Sequence, residues 1–303
     1  MKKTRAALDK NFSQGQAAQA QNAAASKKLR GADGFEEHYS SLYGERWGAL
    51  KAALLTEGRP SPLVCFEGAP AYYLDAASVA AAMTLPLQGA KNILDMCAAP
   101  GGKSLALASL MEADANLLCN ERSFDRSMRL RKVMSEHLPT ATQERVQVSC
   151  GDGALLCKKQ SEAYDAILLD APCSSERHVL NDSKYLAQWS PARVKSLAMQ
   201  QWALLSSAFR LLKTGGRLLY STCALDPAEN TGVCERLLKK FPNAAAAGME
   251  EVRALQDSAK KRLAAFFDAA SLPGFEPSGA GFAILPDAQN GSGPIFFCLF
   301  KKL

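Results

Sequence analysis

The chain has 303 residues, of which 48% are hydrophobic and 22% charged, and this composition allows one large domain or two small ones. It contains no run of about 18 apolar residues, so a membrane span is not expected. The nine cysteines form no CxxC pair and no zinc-type spacing, which indicates reduced thiols and predicts a cytoplasmic protein without a metal site. The basic N-terminus has no apolar core and is a poor secretory signal, but a weak likeness to an organellar transit peptide leaves a mitochondrial location as the alternative.

The net charge of +6 is concentrated at the N-terminus, where residues 1–31 hold seven basic residues and one acidic residue. Because large apolar side chains are few there, residues 1–33 are predicted to form a flexible basic arm. Such an arm is typical of an accessory contact to RNA or DNA, and it is equally typical of a solvated tail that aids solubility. Both interpretations stay open.

Residues 34–88 are predicted to form a helical segment that contacts RNA. Between residues 35 and 55, aromatic and leucine side chains recur at helical spacing, which predicts one or two short helices. Pro60 and Pro62 then interrupt the chain, and a short strand at 63–66 and a helix at 75–84 are expected.

From residue 89 to 303, short apolar segments alternate with helical ones, which predicts a parallel sheet covered by helices on both faces. The predicted strands of this sheet are 92–96, 116–120, 146–149, 166–170 and 217–221. The predicted helices are 103–111, 124–137, 192–213 and 227–240. Two last strands, 281–285 and 294–300, are joined by a turn-rich sequence and predict an antiparallel hairpin at one edge.

A glycine-rich loop with the sequence MCAAPGGKS, at 96–104, follows the first of these strands. Ligands of open parallel sheets bind beyond the carboxyl ends of the strands, and the helix after the loop presents free N–H groups to an anion. A Walker phosphate loop would require glycine where Cys97 stands, and Pro100 lacks a donor N–H. The dinucleotide pattern GxGxxG is also absent, so the loop is expected to bind a ligand other than a triphosphate or dinucleotide.

A carboxylate follows each of the next three predicted strands, at Glu121, Asp152 and Asp170. An acidic residue at such a strand end commonly binds ribose hydroxyls, and Asp152 and Gly153 stand where an adenine would lie. Any one of these acids alone is more often a helix cap. Three in register suit a ligand with a ribose, an amino-bearing base and a positive charge, a description that S-adenosylmethionine meets better than NAD.

Two cysteines, Cys173 and Cys223, follow the fourth and fifth predicted strands. Adjacent parallel strands lie about 4.8 Å apart, so both thiols would face one crevice if these strands are neighbours. A thiolate that adds to carbon 6 of cytosine makes carbon 5 nucleophilic toward a sulfonium methyl group. Lys103 would provide a positive neighbourhood for the thiol, and Asp170 would bind the ring edge and support protonation at nitrogen 3. An average cysteine is a small buried residue, but the Pro-Cys and Thr-Cys settings favour a chemical role.

Three motifs, DMCAAPGGKS at 95–104, DAPCSSERH at 170–178 and YSTCALDPAEN at 220–230, resemble the signatures of the Sun (Fmu) family of RNA cytosine-5 methyltransferases. The likeness covers roughly residues 70–303, and the Arg-His pair after the Pro-Cys motif resembles the compact branch with the mitochondrial rRNA and tRNA enzymes. The resemblance implies a Rossmann-like class I S-adenosylmethionine-dependent α/β fold. It would have a mostly parallel seven-stranded sheet, an antiparallel edge hairpin and an N-terminal helical extension.

The resemblance also implies the roles of individual residues. Cys223 would be the nucleophile, and Cys173 would assist release of the product. Contacts to S-adenosylmethionine are implied for Cys97, Ala98, Ala99, Pro100, Gly101, Gly102, Lys103, Glu121, Arg126, Asp152, Gly153 and Asp170. Glu121 departs from the family, in which an aspartate is common at this position.

The resemblance implies that the product is 5-methylcytosine in RNA, with rRNA a more probable substrate than tRNA. The sequence leaves no room for a separate C-terminal RNA-binding module, so the grip on RNA is expected from residues 1–33, residues 34–88 or an accessory RNA-binding protein. A monomer is expected. Two alternatives stay open: a DNA cytosine-5 methyltransferase in which Cys173 attacks, and an RNA-binding ribosome-assembly factor without turnover.

Overall fold

The protein is represented by a computed structural model that describes residues 30–58, 60–263 and 272–303. The predicted basic arm lies outside these residues, except for 30–33, where the first helix begins at Gly31. Within the described ranges, no helix is both long enough and apolar enough to cross a membrane.

Two helices, α1 (Gly31–Tyr43) and α2 (Trp47–Leu55), are joined by a 3₁₀ turn, as the spacing of apolar residues predicted. Their buried aromatic side chains contact one another and also Trp189, with ring centroids 5.5 Å apart for Phe35 and Trp189 and 5.3 Å apart for Tyr39 and Trp47. The N-terminal helices are therefore packed on the segment that follows the Pro-Cys motif.

A small two-stranded sheet and a short helix lead from these helices into the main domain. Strand β1 (Ser61–Leu63) begins two residues before the strand predicted at 63–66 and overlaps it only at Leu63, and it pairs with β2 (Tyr72–Leu74), which was not predicted. Helix α3 (Ala76–Ala82) falls within the predicted 75–84, and the Asp75 carboxylate caps it by accepting from the backbone N–H of Ala77.

The main sheet has nine strands, two more than predicted. These strands are β3 (Asn92–Asp95), β4 (Asn116–Glu121), β5 (Val146–Cys150), β6 (Tyr164–Asp170), β7 (Leu212–Thr222), β8 (Ala244–Ala246), β9 (Glu276–Ser278), β10 (Gly281–Ile284) and β11 (Ile295–Lys302). Their order is β5-β4-β3-β6-β7-β11-β10-β9, with β8 paired to β11. The first five strands of this order are parallel and the others antiparallel, which confirms the predicted sheet and its edge hairpin. The added strands, β8 and β9, have three residues each, too few for a periodic pattern to show in the sequence.

Helices cover both faces of this sheet. They are α4 (Gly102–Leu110), α5 (Phe124–His137), α6 (Thr140–Gln143), α7 (Gly153–Leu156), α8 (Glu176–Asn181), α9 (Ser183–Ala187), α10 (Pro191–Leu211), α11 (Thr231–Lys240) and α12 (Met249–Leu263). The four predicted helices correspond to α4, α5, α10 and α11, and α11 begins four residues later than predicted because the chain first makes a turn over 226–230. Helix α12 was not predicted, although the buried Val252, Gln256, Ala259 and Leu263 recur at helical spacing.

Alternate residues of the central strands belong to two apolar clusters on opposite faces of the sheet. Leu168 and Leu219 pack with α3 and α4 on one face, whereas Leu169 and Tyr220 pack with α10 and α11 on the other. Because a strand turns successive side chains to opposite faces, burial on both sides fixes the register of each strand. The carboxyl ends of β3, β4, β5, β6 and β7 are thereby held along one edge.

We expect Phe35→Ala to lower the free energy of unfolding by about 3–5 kcal/mol, because it empties a fully buried position between α1 and Trp189. Leu42→Ala, on an exposed part of the same helix, is the matched control and should change it by no more than about 0.5 kcal/mol. Urea unfolding of both variants measures the difference. Equal effects would contradict the packing of α1 on this cluster.

Candidate active site

The glycine-rich loop, the Pro-Cys motif and the Thr-Cys motif follow strands that end at the same edge of the sheet. Strand β3 pairs with both β4 and β6, and β6 pairs with β7 so that Asp170 lies opposite Ser221. The loops that carry Cys173 and Cys223 therefore start side by side. The condition under which both thiols face one crevice, that the two strands are neighbours, is met.

The two thiols are in direct contact, with 3.0 Å between Cys173 Sγ and Cys223 Sγ, and both side chains are partly buried. The hydrogen bond from Cys173, helped by one from Ser175, lowers the pKa of Cys223 against the opposing effect of burial. The same bond and burial raise the pKa of Cys173 well above its usual value. The thiolate form is therefore favoured at Cys223 and the protonated form at Cys173.

Asp170 lies between a cation and a hydroxyl. Its Oδ2 accepts from Lys103 Nζ at 2.8 Å, and its Oδ1 accepts from Ser221 Oγ at 2.8 Å. Burial acts to lower the pKa of Lys103, but the Asp170 carboxylate outweighs burial and the pKa is raised, so the ammonium stays charged. Lys103 is thus paired with Asp170. The main influence on the pKa of the Cys223 thiol is the hydrogen bond with Cys173, which the sequence analysis did not predict.

A cavity of about 230 Å³ opens beside the tips of β4 and β5. Its lining includes the carboxylates of Glu121 and Asp152 as well as the apolar side chains of Pro172 and Leu204. Glu121 is buried; its Oε1 accepts from the Ser123 N–H, and its Oε2 lies 3.3 Å from Arg126 Nη1 in an ion pair. Among the residues that the structure describes, no side chain or backbone N–H donates a hydrogen bond to this Oε2, so it can still accept one from a ligand hydroxyl.

A second cavity, of about 140 Å³, adjoins the first at Cys97 and lies beside the tips of β3 and β6. Its wall includes Lys103, Asp170 and the loop before α4. It also includes Tyr72 and Ser78, which come from the N-terminal segment and which the sequence analysis missed because no motif marks them. The second cavity is therefore lined both by the N-terminal segment, residues 34–88, and by the domain that follows it.

Of the twelve predicted cofactor residues, all of which the structure describes, only Gly101 lines neither cavity. It has a φ of 124°, which favours glycine, and a Cβ there would come within 2.9 Å of side-chain atoms of Val133 and Met134 on α5. Gly101 thus shapes the loop by close packing. The others line the cavities: Cys97, Ala98, Ala99, Pro100, Gly102, Lys103, Glu121, Arg126, Asp152, Gly153 and Asp170.

A buried carboxylate, Glu176, anchors the loop after Cys173. It accepts hydrogen bonds from the hydroxyls of Tyr39 and Ser174 and from the backbone N–H of Leu225, at 2.9 Å for the last. Ser175, which lies between Ser174 and Glu176, has a φ of 55° in the left-handed region, a conformation that is energetically unfavourable for a residue other than glycine. Sequence reasoning missed this anchor, because its partners lie far apart along the chain.

A family model described as 16S rRNA methyltransferase RsmB/F matches residues 82–297. The chain belongs to the RsmB/F family. This membership confirms the resemblance that the three motifs carry.

The curated proteins that are similar to this chain include two enzymes from vertebrates. The mitochondrial tRNA (cytosine(34)-C(5))-methyltransferase of Danio rerio is 34% identical over 77% of this chain and 60% of its own length. The 5-cytosine rRNA methyltransferase NSUN4 of Xenopus tropicalis is 32% identical over 77% of this chain and 56% of its own. The chain thus spans less than two thirds of the length of these relatives.

A solved structure, that of a methyltransferase homolog protein from Pyrococcus horikoshii, matches the RsmB/F chain with a TM-score of 0.68. The match covers 91% of this chain and 97% of the other, at 20% sequence identity. At this level of sequence identity the match is evidence of the fold alone, and it confirms the Rossmann-like methyltransferase fold.

We expect Cys173→Ala to slow the alkylation of Cys223 several-fold, because it removes the hydrogen bond that lowers the pKa of the Cys223 thiol. Cys173→Ser keeps a donor and should retain most of the rate. Iodoacetamide labelling at neutral pH, followed by mass spectrometry of the peptide, measures both variants, with Cys157→Ala as the control. Faster labelling of Cys223 in the alanine variant than in the serine variant would show that Cys173 only shields it.

Proposed function

We propose that this chain is an S-adenosylmethionine-dependent RNA methyltransferase that forms 5-methylcytosine through a covalent bond between Cys223 and carbon 6 of the base. The observation that carries the proposal is the contact between Cys173 and Cys223, 3.0 Å apart, next to a pair of cavities at the tips of the parallel strands. Membership of the RsmB/F family supports the same activity.

The two adjoining cavities suit S-adenosylmethionine. Glu121 offers a buried oxygen, ion-paired with Arg126, that can accept a hydrogen bond from a ribose hydroxyl, and Asp152 lies where it would meet the adenine amino group. The N-terminus of α4, with Lys103 and Asp170 nearby, would hold the charged amino-acid end. When bound, S-adenosylmethionine supplies an electrophilic methyl group.

The residues of the chain divide the remaining work. The Cys223 thiolate adds to carbon 6 of cytosine, and the electrons of the ring then make carbon 5 nucleophilic. Asp170, held by Ser221 and Lys103, would bind the ring edge and support protonation at nitrogen 3. After carbon 5 has accepted the methyl group, its proton passes to water, the double bond re-forms, and the carbon–sulfur bond breaks with its electron pair on Cys223. Cys173 would assist by donating to that departing sulfur.

Ribosomal RNA is the substrate we propose first, since the family model is described by 16S rRNA, and tRNA is the second candidate because of the name of the Danio rerio relative. We propose residues 89–303 as the catalytic domain and residues 34–88, with the arm at 1–33, as contacts to RNA, in a monomer that an accessory RNA-binding protein would assist. All nine cysteines lie in the described residues and are free thiols, which supports a reducing compartment such as the cytoplasm, with the mitochondrion as the alternative.

Cys223→Ala is expected to abolish methylation, because it removes the nucleophile, whereas Cys173→Ala is expected to trap a covalent RNA–protein adduct. Transfer of tritium from labelled S-adenosylmethionine to ribosomal and transfer RNA, together with a denaturing gel, measures both effects. The reverse pattern would make Cys173 the nucleophile, as in DNA cytosine methyltransferases. Binding of RNA without any transfer would favour the assembly factor.

Glu121→Gln is expected to weaken the binding of S-adenosylhomocysteine about tenfold, because it removes the charge of an acceptor that meets a ligand hydroxyl. Isothermal titration calorimetry measures the affinity, and Glu144→Gln, exposed between α6 and β5, is the control. Unchanged affinity would place the ribose elsewhere.

A further inference from the structure

A buried pair of side chains, Gln201 and Glu229, holds the residues on either side of Cys173. Gln201 Nε2 donates to the carbonyl oxygen of Pro172 at 2.9 Å and to Glu229 Oε2 at 2.7 Å. The same Glu229 oxygen accepts from the backbone N–H of Ser174 at 3.0 Å. The backbone before and after Cys173 is thus fixed by one two-residue clamp.

The clamp joins the Cys173 loop to β7, the strand that ends directly before Cys223. Glu229 lies in the turn after β7, and the Tyr220 hydroxyl, on β7 itself, donates to its carbonyl oxygen at 2.6 Å. The next residue, Asn230, accepts from Thr222 Oγ1 at 2.6 Å, directly before Cys223. The turn that contains Glu229 and Asn230 therefore forms hydrogen bonds with the residues next to both thiols, Ser174 beside Cys173 and Thr222 beside Cys223.

Both side chains of the clamp are fully buried, and each has an oxygen without a hydrogen-bond partner among the described residues: Glu229 Oε1 and Gln201 Oε1. Burial, and the nearby charge of Glu176, raise the pKa of Glu229 to about 7. Protonation of Glu229 would provide one hydrogen-bond donor at a place where two side-chain oxygens, Glu229 Oε1 and Gln201 Oε1, have no partner among the described residues. The uncharged form is therefore compatible with the clamp, and glutamine should replace Glu229 without loss of the grip.

We propose that Glu229 and Gln201 are positioning residues that hold Cys173 against Cys223, and that they are needed for release of the product rather than for the attack on cytosine. This inference rests on the proposed function. Neither residue is among those described as lining the two cavities, so the clamp acts through Cys173. Release breaks the bond between carbon 6 and Cys223, and a misplaced Cys173 would no longer donate to the departing sulfur.

The first test needs no RNA. Glu229→Ala should free the loop and raise the rate at which iodoacetamide labels Cys173 about tenfold, the factor that one buried hydrogen bond is worth. Glu229→Gln keeps the acceptor and should stay within about twofold of the wild type. Glu235→Ala, on the exposed side of α11, is the matched control. A labelling rate for Glu229→Ala equal to that of the control overturns the clamp, whatever the activity of the protein.

The second test separates attack from release. With S-adenosylmethionine and RNA, Glu229→Ala and Gln201→Ala should lower kcat about tenfold, leave KM for RNA within about twofold, and accumulate the covalent adduct on a denaturing gel. Glu229→Gln should turn over as the wild type does. Equal loss in the alanine and glutamine variants, or loss without adduct, overturns the role in release. A wild-type protein that transfers no methyl group would instead refute the proposed function and leave the labelling result standing.

Discussion

The parallel pairing of β6 with β7 determines the arrangement of the site. Its register sets Asp170 opposite Ser221, so the two loops that leave these strands begin as neighbours and bring Cys173 and Cys223 into contact. A shift of one residue in the register of this pair would turn the buried side chains of either strand to the opposite face of the sheet. They would then no longer pack into the apolar cluster to which they belong. The position of the thiols is thus enforced by the hydrophobic core beneath them.

The environment makes two identical thiols chemically different. The hydrogen bond with Cys223 and burial raise the pKa of the Cys173 thiol, and the charges of Glu176 and Glu229 make smaller contributions in the same direction. Cys223 accepts hydrogen bonds from Cys173 and Ser175, which favour its thiolate against burial. The difference in pKa therefore comes mainly from the contact between the two thiols, because carboxylates act on both of them: Asp170 and Glu176 on Cys223, and Glu176 and Glu229 on Cys173.

The N-terminal helices support the catalytic loop as well as covering the sheet. The Tyr39 hydroxyl donates to Glu176, and the Arg177 guanidinium donates to the carbonyl oxygens of Ala53, Leu54 and Thr56 at the end of α2. Arg177 also donates to the loop of the edge hairpin, at Gly291 and Gly293. Arg177, one helical turn after Cys173, thereby ties this part of the chain to the end of α2 and to the loop of the edge hairpin.

Local patterns in the sequence determined the alternation of strands and helices, the glycine-rich loop, and the three acids and two thiols at strand ends, because these depend on neighbouring residues and on the rule that parallel strands end together. The sequence could not indicate the partners of Glu176, Gln201 or Glu229, which lie up to 137 residues away, nor the two three-residue strands. Only the tertiary structure decided these features, since buried carboxylates and amides take whichever donors the packing of distant segments brings to them.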